Sequence, residues 1–281
     1  MNAGQPANTA AEAYLKSNRV EGWLSPAAGW VLVRIAQELT VGNRAVAEIG
    51  VHHGKLSILL ALLGGARLVA YDLFSRQDEN VDGSGRGNLA VFQQNCRKHC
   101  PAIDVLPVEV NSLDLTAERI RQDCGTAPVF FSVDGGHTVE ATLNDLRVAG
   151  EAVAEDGVVI LDDFYNEAFP EVAFGTMRYL AEAPGQLHLF CIVGNKLMFA
   201  RDPEIADRLA TMLAQIDPAA IPRVHTVEMC EIMGRSVCTM RQADRLTAML
   251  RRMLRNPRIR ALERSRLGQM LGRCYRRVLY G

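Results

Sequence analysis

From Ala45 to Ala200 the chain repeats one pattern: a short apolar run rich in β-branched residues, ten or more residues of amphipathic period, then another apolar run. Runs of about four to eight such residues suit strands buried on both faces. The stretches between them are long enough for crossover helices, so the expected architecture is a parallel sheet covered by helices on both sides. The strands are expected at Ala45–Val51, Arg67–Phe74, Val105–Val110, Pro128–Asp134 and Gly157–Phe164, with helices starting near Lys55, Asn88, Leu115 and Thr138. After a helix at Val172–Glu182 come two more apolar runs, Leu187–Val193 and Lys196–Ala200, joined only by Gly194-Asn195. No crossover fits there, so these two strands must run antiparallel; the alternative ends a helix at Leu187–Val193.

Outside this region the pattern changes. Residues 1–44 read as a helical cap with helices at Ala10–Lys16 and Ala27–Leu39, and residues 45–200 as the sheet domain. Residues 201–240 read as a helix over 203–216 followed by an extended His225–Ile232, and residues 241–281 as a helical tail broken at Asn256-Pro257. The tail holds 12 arginines against Asp244 and Glu263, while the first 240 residues carry 19 basic and 30 acidic side chains. Leu246, Met249, Leu250, Met253 and Leu254 form an apolar stripe beside those arginines. Such a helix suits an anionic membrane surface, peripheral at its inner face, or packing on an acidic body or a second subunit in a homo-oligomer. Aromatic residues at 6% are too sparse for a base-stacking platform, which argues against specific nucleic-acid recognition.

The longest uncharged apolar run, Leu56 to Ala66, is 11 residues, short of the roughly 20 that span a bilayer. The N-terminus lacks a basic start followed by an apolar stretch, so a cytoplasmic setting is expected. Seven cysteines without CxxC pairing suit reduced thiols there.

Chemistry gathers where the strands end. The first ends in Glu48-Ile-Gly50-Val-His-His-Gly54-Lys-Leu-Ser57 and runs straight into a helix, a turn where glycines admit a ligand and helix N–H groups favour an anion. The second ends at Asp72, placed to accept hydrogen bonds from a ribose diol. The fourth ends in Asp134-Gly-Gly-His137 and the fifth in Asp162-Asp163. Carboxyl ends of adjacent parallel strands converge on one crevice, so Asp134, Asp162 and Asp163 can surround a common point, and hard oxygen donors suit Mg²⁺. The competing reading makes each a cap for the helix that follows. His137, titrating near neutrality, is the candidate base. His52 and His53 either contact an acceptor or solvate their loop. The polar loop from Asp78 to Gly87 can close over an acceptor, with Arg86 available to an acidic group on it.

GxGxxG is absent, as is a Tyr followed four residues later by Lys, which sets nicotinamide chemistry aside. The Glu-x-Gly-x-x-x-Gly loop resembles instead the S-adenosylmethionine loop of class I methyltransferases. The spacing of Asp134 from Asp162-Asp163 resembles the metal-dependent O-methyltransferases, both the catechol type and the macrocin type that methylates antibiotic sugars. The resemblance covers Glu48 to Ala200. It implies an α/β, Rossmann-like sheet of seven strands, five parallel plus the antiparallel hairpin, with helical N- and C-terminal extensions. It also implies that Gly50 and Gly54 face the methionine part of S-adenosylmethionine, Ser57 its carboxylate end, Asp72 the ribose, and Asn111-Ser112 the adenine edge, with Glu48 and Asp134 also among the cofactor-binding residues. Asp134, Asp162 and Asp163 would ligate Mg²⁺, and the acceptor would be a hydroxylated small molecule or glycan. Gly136 stands where the macrocin type has an acid, so the base is not carried over with the rest. The other readings are a metal-independent methyltransferase and a non-catalytic nucleoside-binding module that docks through its basic tail.

Overall fold

The computed structural model describes residues 6–39 and 41–242, and residues up to Arg241 form one compact unit. The arginine-rich tail, with the membrane and self-association readings placed on it, lies outside the described residues beyond Gln242.

Eight helices and nine strands alternate along the described chain. Two helices, α1 (Pro6–Ser17) and α2 (Pro26–Glu38), come first. Then follow β1 (Ala45–Ile49), α3 (Lys55–Leu62), β2 (Arg67–Asp72), α4 (Leu89–His99), β3 (Asp104–Glu109), α5 (Ala117–Cys124), β4 (Phe130–Val133), α6 (Val139–Ala152) and β5 (Val158–Leu161). The chain continues through α7 (Pro170–Glu182), β6 (His188–Val193), β7 (Lys196–Ala200), α8 (Pro203–Ala214), β8 (Val224–Ile232) and β9 (Arg235–Gln242). Local chemistry sets many helix starts. Ser25, Asn88, Thr116, Thr138 and Asp202 each accept a backbone N–H from the first turn of the helix that follows. Proline occupies the opening of α2, α7 and α8, where its missing N–H costs nothing.

The strands form a single sheet in the order β3-β2-β1-β4-β5-β7-β6-β9-β8. The β1–β2, β1–β4, β2–β3 and β4–β5 pairs are parallel, whereas β7 is antiparallel to both β5 and β6. Leu187–Val193 therefore contributes a strand and not a helix end. Pro107 is tolerated within β3 because β3 is an edge strand.

The sheet has nine strands where seven were expected. The added pair is β8–β9, and β9 lies parallel to β6 with Cys191 opposite Cys238. Met233-Gly234 turns this hairpin with both residues at positive φ, a two-residue turn without the Asn-Gly signature that announces one in a sequence.

Two apolar cores flank the sheet. Alternation along β1 sends Val46 to one, packed with α2, α3, α4 and α8, and Ala47 and Ile49 to the other, packed with α5, α6 and α7. With both faces covered, only the strand ends remain for chemistry. Among the described residues no helix is long and apolar enough to cross a membrane.

Candidate active site

A cavity of about 460 Å³ opens at the carboxyl ends of β1, β2, β3, β4 and β5, within the range that accommodates a cofactor-sized ligand. Its wall includes Gly50, Asp72, Asn111, Ser112, Asp134, His137, Asp162 and Asp163. The connections leaving β1, β2 and β5 each carry a residue other than glycine in the left-handed region: His52 (φ 49°), Phe74 (φ 44°) and Asp163 (φ 62°). Such backbone is held by its surroundings against a local cost and concentrates at functional sites.

Gly50 has φ +80°, and a Cβ there would lie 1.7 Å from the Asp134 carbonyl oxygen. Only glycine lets the β1 and β4 ends come this close. Asp72 accepts hydrogen bonds from the backbone N–H of His52 (2.9 Å) and of Phe74 (2.8 Å), which fixes its carboxylate at the cavity wall. Gly87 closes over the same group, where a Cβ would meet Asp72 Oδ1 at 2.5 Å. An acceptor-only group at the end of β2, with the Asn111-Ser112 turn beside it, fits the ribose and adenine of a nucleoside cofactor.

The other residues expected at the methionine end sit deeper. Ser57 is fully buried and donates to Glu48 Oε2, so its hydroxyl is spent inside the fold and not on a ligand carboxylate. Burial pushes the Glu48 carboxyl up to about 7, against the pull of Ser57 and Lys196. Gly54 caps α3 with φ +87°, and a Cβ there would lie 2.8 Å from the Phe92 ring, so this glycine serves helix packing. Glu48, Gly54 and Ser57 are absent from the cavity wall and support it from beneath.

The three aspartates differ in their partners. Asp162 is buried and accepts a hydrogen bond from Lys196 Nζ, itself buried on β7, while its other oxygen accepts the Asp163 N–H at 2.8 Å. The cluster able to share an ion is Asp134, His137 and Asp163, whose ligand atoms all lie within 4.8 Å of one another. In this geometry His137 stands beside Asp134 and Asp163, and Asp162, also on the cavity wall, is bonded to the Lys196 ammonium. Burial and the neighbouring Asp162 push the Asp134 carboxyl well above its usual range, with Lys196 opposing.

His137 is tightly placed. Its Nδ1 lies 2.7 Å from Asp82 Oδ2 and its Nε2 lies 3.3 Å from Asp163 Oδ2, while its ring stacks on Phe169 at 3.7 Å and 7°. Burial alone would lower its basicity, but the hydrogen bonds to Asp163 and Asp82 outweigh that and raise it. Asp163 is oriented in turn by Asn166 Nδ2 (3.0 Å) and Asn195 Nδ2 (2.6 Å).

The loop expected to close over an acceptor does reach the site, through Asp82 on His137 and through Glu79, which accepts from Asn111 Nδ2 at 3.0 Å. Arg86 is exposed and does not line the cavity. Asp82, Phe169, Asn195 and Lys196 were missed by sequence reasoning. The β5–β7 register pairs Leu161 with Leu197, so the next position sets Lys196 against Asp162.

Residues 47–164 match the family model described as a methyltransferase domain. No curated protein sequence matches the chain significantly. Among solved structures, the O-methyltransferase NovP superposes with a TM-score of 0.48 at 18% identity, over 61% of this chain and 79% of its own. CalS11, a TDP-rhamnose 3'-O-methyltransferase of calicheamicin biosynthesis, gives 0.45 at 17% identity, over 69% and 92%. The mycinamycin-pathway methyltransferase MycE, solved with Mg and SAH, gives 0.45 at 15% identity, over 70% and 55%. The matched residues 47–164 are the ones that build the crevice from β1 to β5, so the likeness to a methyltransferase domain falls on the stretch that forms the candidate site.

Proposed function

We propose that the protein is an O-methyltransferase acting on a hydroxyl of a glycan or a hydroxylated small molecule, with Mg²⁺ held at the mouths of β4 and β5. The observation that carries this reading is the placement of Asp134, His137 and Asp163 within 4.8 Å of one another in the same cavity as Asp72 and Asn111-Ser112. When bound, S-adenosylmethionine supplies an electrophilic methyl on sulfur, and the cation supplies charge that makes a nearby hydroxyl more acidic.

The chain's own contribution is placement and proton removal. Asp134 and Asp163 offer two carboxylates, as many protein ligands as Mg²⁺ commonly takes while keeping waters. Asp82 accepts the Nδ1 proton of His137, which leaves Nε2, the nitrogen facing Asp163, to take the hydroxyl proton. Phe169 and the Asp82 contact stop the ring from rotating away. Most of the rate would come from holding the acceptor oxygen in line with the methyl group.

One observation favours a metal-independent version. The buried Lys196 ammonium already neutralises one carboxylate of the site, so the remaining charge could be balanced by protonated His137 alone. Calorimetric titration of S-adenosylmethionine with and without Mg²⁺, followed by turnover on sugar acceptors with and without chelator, separates the two. Binding with chelator-sensitive turnover supports the metal reading, and chelator-resistant turnover replaces it with the second. Absence of binding in both conditions would overturn the cofactor assignment and the roles built on it.

A further inference from the structure

A second cluster of ligand-type side chains lies at the rim of the cavity, on the segment between α1 and α2 and on the β1–α3 turn. Glu21, His52 and His53 each offer a donor atom, and these atoms lie within 4.8 Å of one another. We propose that they form a site for Zn²⁺ or a similar transition-metal ion, separate from the Asp134–His137–Asp163 cluster. This site stands independently of the acceptor and Mg²⁺ readings.

The donor set is the first argument. Two imidazoles and one carboxylate suit Zn²⁺, with water completing the shell, whereas Mg²⁺ prefers oxygen donors. The second argument is that Nδ1 of each ring makes no well-formed hydrogen bond. Nδ1 of His52 and Nδ1 of His53 are both buried without a hydrogen-bond partner, and the nearest acid to the latter is Glu21, at 3.2 Å. Buried polar atoms left unsatisfied are rare and call for an occupant.

The third argument is backbone. His52 takes a left-handed φ of 49°, and its ring lies against that of His53 at 3.8 Å and 24°, so one ring has to turn for both in-plane lone pairs to reach a single ion.

The location gives the site a role. The segment carrying Glu21 is already fastened to the cofactor turn, since Lys55 Nζ donates to Gly22 O at 3.0 Å and Tyr14 OH donates to Lys55 O at 3.0 Å. Trp23, 72% exposed, rests against His52 at 5.2 Å between ring centres and lines the cavity. An ion on Glu21, His52 and His53 would pin Trp23 at the entrance through which an acceptor passes.

The test is calorimetric titration of Zn²⁺ into the full-length chain carrying His137→Ala and Asp163→Asn, which removes the competing cluster. One equivalent is expected to remain. Adding His53→Ala should abolish it, and adding Glu21→Gln, a change at a largely exposed side chain, should weaken it by about tenfold or more. Circular dichroism checks that each variant is folded. Co²⁺ in place of Zn²⁺ should give visible bands without the near-ultraviolet absorption of a thiolate ligand. No equivalent in the starting variant, an unchanged equivalent after either substitution, or a thiolate band would overturn the proposal.

Discussion

Lys196 and Asp162 occupy facing positions on the antiparallel β7 and β5 ends, one step beyond the Leu161–Leu197 pair, and their side chains bond in a pocket shared with Glu48 and Asp134. One buried ammonium thereby serves three carboxylates.

Replacing Lys196 by Met should cost about 3–5 kcal/mol, because it strands buried charge that has no other counter-ion. Urea unfolding would show the loss, and it should be larger at pH 8 than at pH 5, where the orphaned carboxylates can take up protons. Equal midpoints for the variant and the parent at pH 8 would show that the pair contributes little.

Asp163→Asn keeps a residue tolerant of the left-handed backbone at this position while removing the charge. Affinity for S-adenosylmethionine should survive, and the apparent Mg²⁺ requirement for turnover should rise by at least about tenfold. Turnover measured across a Mg²⁺ series checks this. An unchanged series would remove Asp163 from the metal role.

The hydrogen bonds from Asp163 and Asp82 raise the His137 basicity against burial. A group raised in the folded state adds stability that is present in full below its unfolded value of about 6.5 and is lost as pH rises through the folded value. In catalysis the neutral ring is needed, so the acidic limb of the pH–rate profile should lie above the ordinary imidazole range. Asp82→Asn should move that limb to lower pH, and His137→Ala should cost about 10²- to 10⁴-fold in turnover. A limb that stays in place in both variants would mean that another group takes the proton.

Asp145 on α6 is wholly buried beneath Gly135, and burial pushes its carboxyl up to about 7 against the opposing pull of hydrogen bonding from Ser112 and Asn144. The folded state then holds a proton that the unfolded chain has lost above about pH 4, so this residue's contribution to stability falls as pH rises from there to about 7. Asp145→Asn should match the parent near pH 4 and melt at a higher temperature at pH 8. The same melting difference at both pH values would show that Asp145 does not titrate in that range.

The first seven strands could be read from the sequence because each is a short, mostly apolar run, and because Gly194-Asn195 leaves no room for a crossover. β9 could not, since its buried positions, Val237, Cys238 and Met240, break strict alternation. In the site, the aspartates at strand ends announced themselves through the geometry of parallel sheets. Their division of labour did not, because it depends on which carboxylate meets the Lys196 ammonium across β5 and β7. Asp82 sits in a loop without periodicity, and Asp145 falls on a buried helical face where an apolar residue is the norm.

The left-handed residues after β1, β2 and β5 place a ceiling on how durable this scaffold can be while it keeps its chemistry. Each holds back roughly 1–3 kcal/mol of conformational energy. Selection for heat resistance alone would relax His52, Phe74 and Asp163 first, and those are the turns that set the histidine rim, seat the Asp72 carboxylate and aim Asp163 into the cavity. In this protein the route to a hardier fold therefore runs through the surrender of its working edge.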